Sequence, residues 1–308
     1  MGWNFIYILF ILLFSINSYA ENLKYHAKYV DSIVYDEEEK RILTPAHIFV
    51  DSVMKEIYVI SQGKIIVYSS EFFPLLALDK SRGIETPQGV AVDSQGNLYV
   101  SQSMTKDNPK HRISVYDPCL RWQRDIYLEG FEGAEAFMPQ RLAVDKQNNI
   151  YVTGSHFQGV LILDKEGKFT GVLSPEEEGE KVYINSVTID EIGRIYLVSE
   201  DKGRVYVYDE NKKFIFKFGQ KGGSTGKLSR PQAIGVDNKN KRMYIVDYMR
   251  HTISVYDENG KYLFEFGGLG WSEGWFQYPT DVAVDSDGKV LIADMFNDRI
   301  QIFEIQLK

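Results

Sequence analysis

Polar side chains that could bind a small molecule recur next to the beginning of a repeated sequence motif. They are His47, Gln88, Gln140, Arg141, Asn185, Gln232 and Asp281. An amide donates and accepts hydrogen bonds at the same time, which suits hydroxylated, peptide or carboxylate ligands, and Arg141 could hold an anion with two parallel bonds. We therefore predict a ligand-binding site formed by these seven residues. The alternative is a structural role, in which the amides cap strand ends or hold channel water.

The histidines argue against a catalytic zinc site. They are His26, His47, His111, His156 and His251. Such a site needs three protein ligands in one place, and only His47 falls at the start of a predicted strand. Calcium is more compatible with the sequence because Asp281, Asn185 and nearby carbonyl groups offer oxygen ligands. We predict no resident cofactor, with calcium as the open alternative, and the segment Asp285-Ser-Asp-Gly288 is predicted to be a hairpin turn.

Covalent catalysis has little support in the sequence. The chain contains no Gly-x-Ser-x-Gly elbow, no phosphate-binding Gly-x-x-x-x-Gly-Lys-Ser/Thr motif and no Gly-x-Gly-x-x-Gly after a strand. Its single cysteine, Cys119, follows Pro118 and is predicted to be a packed or surface thiol. One cysteine also excludes an intramolecular disulfide and a cysteine-cluster zinc site. A binding protein is therefore favoured over an enzyme.

The charge balance argues against nucleic acid as a partner. The 308 residues include 43 Asp and Glu against 35 Lys and Arg, a formal charge of −8, whereas binding along phosphates needs a basic surface. A basic run contains no intervening acid and comprises Lys212, Lys213, Lys217, Lys221, Lys227 and Arg230. We predict that this run lies on an outer strand and its connection, as a solvated edge.

The N-terminal 20 residues resemble an export signal. They contain no Asp, Glu, Lys or Arg, and an apolar run from Phe5 to Phe14 precedes Ser18-Tyr19-Ala20. Small residues one and three places before a cut are typical of a secretory signal peptide. We predict residues 1–20 as a signal peptide and residues 21–308 as an exported, periplasmic or extracellular chain. The alternative is an uncleaved segment that anchors the protein in a membrane.

A motif of the form Pro-x-x-Val-Ala-Val-Asp occurs in six copies along the chain. The copies begin near residues 45, 87, 139, 184, 231 and 279, and each has an Asp six places after its start. Two further short runs of β-branched and aromatic residues follow in each copy, separated by turn residues such as Asp257-Glu-Asn-Gly260. These runs predict strands joined by hairpins. A fourth element is clearest in two copies, where Phe218-Gly219 and Phe266-Gly267 recur at an offset of 48 residues. About 45 residues with four strands per repeat is typical of a propeller blade.

The full pattern resembles the NHL repeat. The last copy carries it most completely, with Asp294 at the end of its second strand and Asn297, Arg299 and Ile300 leading into the third. Other copies depart from it, since Ser61, Gly154 and Ser199 stand where Asp is common and Ile184 replaces Pro. The resemblance covers the whole of residues 21–308. It implies an all-β fold, a single six-bladed β-propeller of four-stranded blades.

The last copy ends soon after its third strand, at Lys308, so its fourth strand must come from elsewhere. Residues 23–35 precede the first copy and alternate in polarity. We predict that this N-terminal strand completes the last blade and closes the ring, because an uncovered sheet edge would promote association. Two inserted loops, Ser103 to Arg112 and Ser174 to Lys181, are predicted to enlarge one face of the propeller.

The resemblance also sets the functional expectation. We expect a binding or scaffolding module for a protein partner or a small polar envelope ligand, with the site at the mouth of the central channel. We expect a monomer that contacts a membrane only through an uncleaved N-terminal segment. The alternative implied by the family is a metal-dependent hydrolase or lyase at the channel, similar to lactonases or to an amidating lyase.

Overall fold

The computed structural model describes residues 25–307, so the predicted signal peptide lies outside the described residues. The described residues form six four-stranded antiparallel sheets arranged as the blades of a propeller. The innermost strands are β2 (His47–Asp51), β6 (Pro87–Val92), β10 (Pro139–Val144), β16 (Ser186–Ile189), β20 (Pro231–Asp237) and β24 (Pro279–Val284). The second strands are β3 (Glu56–Ser61), β7 (Leu98–Gln102), β11 (Ile150–Gly154), β17 (Ile195–Ser199), β21 (Arg242–Asp247) and β25 (Val290–Asp294).

The third strands are β4 (Lys64–Ser69), β8 (Arg112–Tyr116), β12 (Val160–Leu163), β18 (Arg204–Tyr208), β22 (Thr252–Asp257) and β26 (Arg299–Leu307). The outermost strands are β5 (Pro74–Leu78), β9 (Trp122–Tyr127), β13 (Phe169–Leu173), β19 (Phe214–Phe218), β23 (Tyr262–Gly267) and β1 (Tyr25–Ile33). Short 3-10 turns occur at Lys80–Arg82, Ala134–Ala136 and Met295–Asn297. No helix in residues 25–307 is long and apolar enough to cross a membrane. The predicted all-β, six-bladed fold is confirmed.

The predicted ring closure is confirmed as well. The strand β1 pairs antiparallel with β26 from Tyr25, opposite Leu307, to Ile33, opposite Ile300. One apolar cluster contains Ile33 together with Ile48 of the first blade and Leu291 of the last. The two ends of the described chain therefore share one sheet, and the first and last blades share one core.

The repeated aspartates shape the hairpin that follows each innermost strand. The Asp93 Oδ1 atom accepts hydrogen bonds from the backbone N–H groups of Gln95 and Asn97, each at 2.9 Å. The other five repeated aspartates accept in the same way from backbone groups two to four residues further on. An Asp side chain that bonds the next turn of backbone stabilises a tight turn. The turn predicted at residues 285–288 is confirmed.

We call the end of the propeller at which the innermost strands begin the upper face, and the opposite end the lower face. Because neighbouring strands are antiparallel, the upper face also carries the hairpins between second and third strands and the connections between blades. Both predicted loops lie there, since one joins β7 to β8 and the other joins β13 to β16. The second contains a short ribbon, β14 (Glu176–Glu177) paired with β15 (Glu180–Lys181).

The predicted basic run is tied to the acidic ribbon rather than left fully solvated. Glu177 accepts from Arg204 at 2.6 Å and from Lys217 at 2.7 Å. The Lys221 ammonium donates to the Glu200 carbonyl, and Arg230 pairs with the Glu200 carboxylate. Lys217 lies on the outermost strand β19, as predicted. Part of the basic charge is therefore neutralised within the fold.

We expect Gly89→Ala to lower the free energy of unfolding by about 1–3 kcal/mol, the usual cost of overpacking. A Cβ atom at residue 89 would lie 2.7 Å from the Gln140 carbonyl oxygen and 3.1 Å from the Arg141 Cα atom, both backbone atoms of the next blade. Gly171→Ala is the matched control because a Cβ there meets nothing within 4 Å. Urea denaturation of both variants checks the prediction, and equal stabilities would refute it.

Candidate functional site

The innermost strands surround a central cavity of about 350 Å³. Small residues such as Ala91, Ala143 and Gly235 alternate with Val side chains along its wall. A Cβ at Gly235 would lie 3.2 Å from the Val282 carbonyl oxygen. Because these strands come so close together, there is a direct steric reason for the small side chains at these positions. Phe49, which occupies the equivalent position in the first copy, also lines this cavity.

A buried polar cluster lies at the upper end of the cavity and consists of His47, Arg141 and Asp281. These residues come from blades 1, 3 and 6, and their side chains are 11%, 16% and 6% exposed. The His47 Nδ1 atom contacts the Asp281 Oδ2 atom directly. The same carboxylate oxygen accepts from the Ile48 backbone N–H at 2.9 Å, and Arg141 Nη2 lies 4.0 Å away. We call this set the channel cluster.

Arg141 links three blades across the ring. Its Nη2 atom donates to the Ala46 carbonyl oxygen at 2.7 Å, and its Nη1 atom donates to the Gln88 carbonyl oxygen at 3.1 Å. A guanidinium presents several donors in a fixed plane, so one side chain can hold two carbonyl groups at once. The bonds to the first two blades place Arg141 over the upper end of the cavity.

Electrostatics keep Asp281 ionised despite its burial. Burial alone would raise the pKa of this carboxyl, but the His47 and Arg141 side chains outweigh it and hold the pKa below its usual value. Burial and the Arg141 cation lower the pKa of His47, against the opposing effect of Asp281. The two ring nitrogens of His47 both face acceptors, because Nδ1 contacts the Asp281 carboxylate and Nε2 lies 3.3 Å from the Val90 carbonyl oxygen. The channel cluster is a buried ion pair oriented by an imidazole.

The four predicted amides bond to the chain around them. The Asn185 Nδ2 atom donates to the Gln232 carbonyl oxygen at 2.9 Å, and its Oδ1 atom accepts from the Glu200 N–H at 2.8 Å. The Gln232 Nε2 atom donates to the Glu200 carboxylate at 2.7 Å. Gln140 donates to the Ser155 hydroxyl at 2.6 Å, and Gln88 donates to the Thr86 carbonyl at 3.2 Å. Ligand contacts by the seven predicted residues stay a prediction.

The described residues, 25–307, contain no group of three or more His, Cys, Asp or Glu side chains placed to hold a metal ion. The Nδ1 atom of His111 accepts from the Met104 N–H at 3.2 Å, and that of His251 accepts from the Tyr278 N–H at 3.0 Å. Both histidines lie immediately before third strands and hold neighbouring loops. Asp281 and Asn185, the suggested calcium ligands, use oxygen atoms for the hydrogen bonds described above.

An exposed aromatic patch lies on the upper face at blades 5 and 6, and the sequence interpretation missed it. It comprises the exposed side chains of Leu269, Trp271, Trp275 and Phe296 together with the half-buried Tyr278. Trp271 is 76% exposed, Leu269 62% and Phe296 48%. The Tyr278 ring packs edge-on against Phe296, with ring centroids 5.4 Å apart. Two tryptophans in the glycine-rich connection between blades 5 and 6 were the available signal, since such connections lie on the surface.

The family comparisons agree with this architecture. Residues 172–266 match the family model for DUF5128, a six-bladed beta-propeller, and residues 276–303 match the NHL repeat. The chain is a six-bladed β-propeller, and part of its last blade matches the NHL repeat. No curated protein matches its sequence. The segment that matches the NHL repeat includes Tyr278 and Phe296 of the aromatic patch.

Solved structures show the same fold as this propeller at low sequence identity. A structural genomics protein of unknown function from Bacteroides thetaiotaomicron is 14% identical, with a TM-score of 0.69 over 92% of this chain and 77% of that one. An auxiliary nutrient-binding protein from Bacteroides ovatus is 16% identical, with a TM-score of 0.67 over 92% and 78%. A streptogramin B lyase is 12% identical, with a TM-score of 0.56 over 92% and 98%. At these identities the likeness shows the fold and leaves function to the site.

Proposed function

We propose that this propeller is an exported binding module that holds a protein partner or a small envelope ligand on its upper face. The aromatic patch carries the proposal. Monomeric proteins seldom expose neighbouring large apolar side chains without a binding role, and Trp and other aromatic residues dominate the energetics of protein interfaces. A protein partner fits this patch best, because its surface is mostly ring and aliphatic carbon.

The surroundings of the aromatic patch also support a binding site on the upper face. The two inserted loops and the channel cluster lie on the same face, and loops on a rigid scaffold commonly carry specificity. Arg141 and the four amides would then contact the partner at the channel mouth. Export rests on the predicted signal in residues 1–20, and the nutrient-binding description of one structural neighbour is compatible with a binding role.

The expected result is that a protein captured from the envelope fraction by residues 21–308 binds at least about tenfold more weakly to the double variant Trp271→Ala/Phe296→Ala, since interface hot spots contribute about 2 kcal/mol or more. Both side chains are substantially exposed, so the melting temperature should stay unchanged. Val53→Ala is the matched control because Val53 is 79% exposed on the lower face. Titration of the purified partner measures the three affinities. Equal affinities, or the lack of any captured partner, would refute this function.

A further inference from the structure

A second cavity, of about 450 Å³, lies between blades 1 and 2 near the outer edge of the ring. The connection around Arg82 forms one wall, and strands β8 and β9 form the other. Arg82, Arg112 and Arg121 line it together with Trp122, while Asp125 is the one carboxylate among the lining residues. Arg121 is paired with Asp117 at 2.7 Å. Arg82 and Arg112 therefore supply the cationic surface of this cavity, beside one aromatic surface.

Arg112 is the unusual member of this cavity because it is buried without an adequate partner. The residue is 3% exposed, and its Nη1 atom has no hydrogen-bond partner among the described residues. Its ion pair is long, with 3.8 Å between Nε and the Asp125 Oδ1 atom. That oxygen already accepts from the Ser114 hydroxyl at 2.7 Å and the Trp122 indole at 3.3 Å. A buried guanidinium left in this state is costly unless an anion satisfies it.

Equivalent arginines in two other blades each have a carboxylate partner, which Arg112 lacks at hydrogen-bond distance. Arg299 faces Asp294 across the second and third strands, and its Nε atom donates to that carboxylate at 2.9 Å. Arg112 faces Gln102 in the same register, so a neutral amide replaces the aspartate. The Gln102 Nε2 atom donates to the Gly83 carbonyl and the Ser114 hydroxyl instead.

The equivalent arginine of blade 4, Arg204, has a carboxylate partner from another part of the chain. Arg204 faces Ser199 in that register, which also lacks a carboxylate. Its Nη1 atom donates at 2.6 Å to Glu177, which is supplied by the inserted ribbon. Blade 2 has its insertion at a different place, residues 103–111 between its second and third strands. The side chains described there leave Arg112 without a direct carboxylate contact. An anion from outside the chain would complete this blade as Glu177 completes blade 4.

We infer that this cavity binds a small carboxylate carried on a hydroxylated ring, with the carboxylate at Arg112. Carboxylates match the guanidinium plane and form charge-assisted bonds with it. Trp122 is 56% exposed and offers a flat surface for the ring, and Ser81 and Asn108 add polar groups to the wall. Arg82 lies at the opposite wall and strengthens the attraction for an anion. This inference does not depend on the proposed function, because the aromatic patch belongs to other blades.

Glucuronate is the probe, and glucose is its neutral counterpart. Isothermal titration of residues 21–308 should give saturable glucuronate binding and none for glucose. Arg112→Gln should weaken glucuronate about ten- to a hundredfold, the effect of losing one charge-assisted contact. Arg82→Gln and Trp122→Ala change exposed residues and should each weaken binding without unfolding the chain. Arg124→Gln is the matched charge control, since Arg124 donates to the Lys165 and Glu166 carbonyls.

Each result decides the matter. Weaker binding in the Arg112, Arg82 and Trp122 variants, with unchanged binding in the Arg124 variant and in Trp271→Ala/Phe296→Ala, supports a carboxylate site at this place. Saturable binding of inorganic phosphate without binding of glucuronate would overturn the carboxylate class. Glucuronate binding that is absent, or equal in all variants, would overturn the site itself. Failure of the proposed partner binding would leave these titrations unchanged.

Discussion

Removal of residues 25–33 is expected to lower the free energy of unfolding by about 5 kcal/mol or more and to broaden the unfolding transition. Full burial of one Ile or aromatic side chain contributes about 1.5–3 kcal/mol, and β1 covers β26 along its whole length. Ile33 is 4% exposed, and the Tyr29 ring packs against Phe303. Since a domain of this kind has about 5–15 kcal/mol of stability in total, the loss should approach all of it.

Urea denaturation and calorimetry of the full and shortened chains test this result. Val30→Ala is the control within the same strand, because Val30 is 38% exposed and should cost little. A synthetic peptide of residues 25–33 should restore the cooperative transition by pairing with β26, which separates loss of the strand from general damage. A shortened chain that unfolds at the same urea concentration as the full chain would show that closure by β1 is not what stabilises the ring.

The closing strand also shows what can be read from sequence. Six copies of one motif predicted six innermost strands, because strand patterning and turn residues are local properties. The missing fourth strand of the last copy then pointed to residues 23–35 by elimination. Small adjustments came from tertiary contacts: β16 begins at Ser186 rather than at Ile184, and β2 begins at His47 rather than at Pro45. Local chemistry therefore predicted the fold well.

The site was less predictable because its contacts join distant parts of the chain. Nothing in the local sequence of Arg141 indicates that it binds the Ala46 carbonyl two blades earlier, or that Asp281 lies beside His47. The aromatic patch was missed because a repeat pattern shows only what the blades have in common. Trp271 and Trp275 occur in one connection and are not part of the repeat. Arg112 could have been identified from the sequence. Gln102 stands at the end of the second strand, where the last copy has Asp294, while the Arg that begins the third strand is retained.

Asp281→Asn is expected to lower the free energy of unfolding by about 3–5 kcal/mol at neutral pH. Removing one partner of a buried ion pair leaves the other charge uncompensated, and that cost is of this size. Arg141 would keep its carbonyl partners but lose the nearby carboxylate, and His47 would face an amide. Asp285→Asn is the matched control on the same chain segment, because an Asn side chain supports a tight turn as Asp does.

A double variant isolates the charge interaction. Asp281→Asn combined with Arg141→Gln removes both charges, so it should be less destabilised than the sum of the two single variants. The difference is the coupling energy of the pair, and about 0.5–3 kcal/mol is typical of residues in one network. Additive effects would place the cost of Asp281→Asn in lost hydrogen bonds rather than in charge.

Acid titration provides an independent check of the same carboxylate. The pKa of Asp281 is below its usual value in the folded chain, so in acid the unfolded chain binds a proton at this position before the folded chain does. The stability that Asp281 contributes is therefore fully present above its ordinary pKa of about 3.9 and is lost as the pH falls below that value. The stability of Asp281→Asn should fall less steeply than that of the unmodified chain over this range. Parallel curves for the two proteins would mean that Asp281 is not held ionised by Arg141 and His47, and the channel cluster would then be a hydrogen-bonded network without a stabilising ion pair.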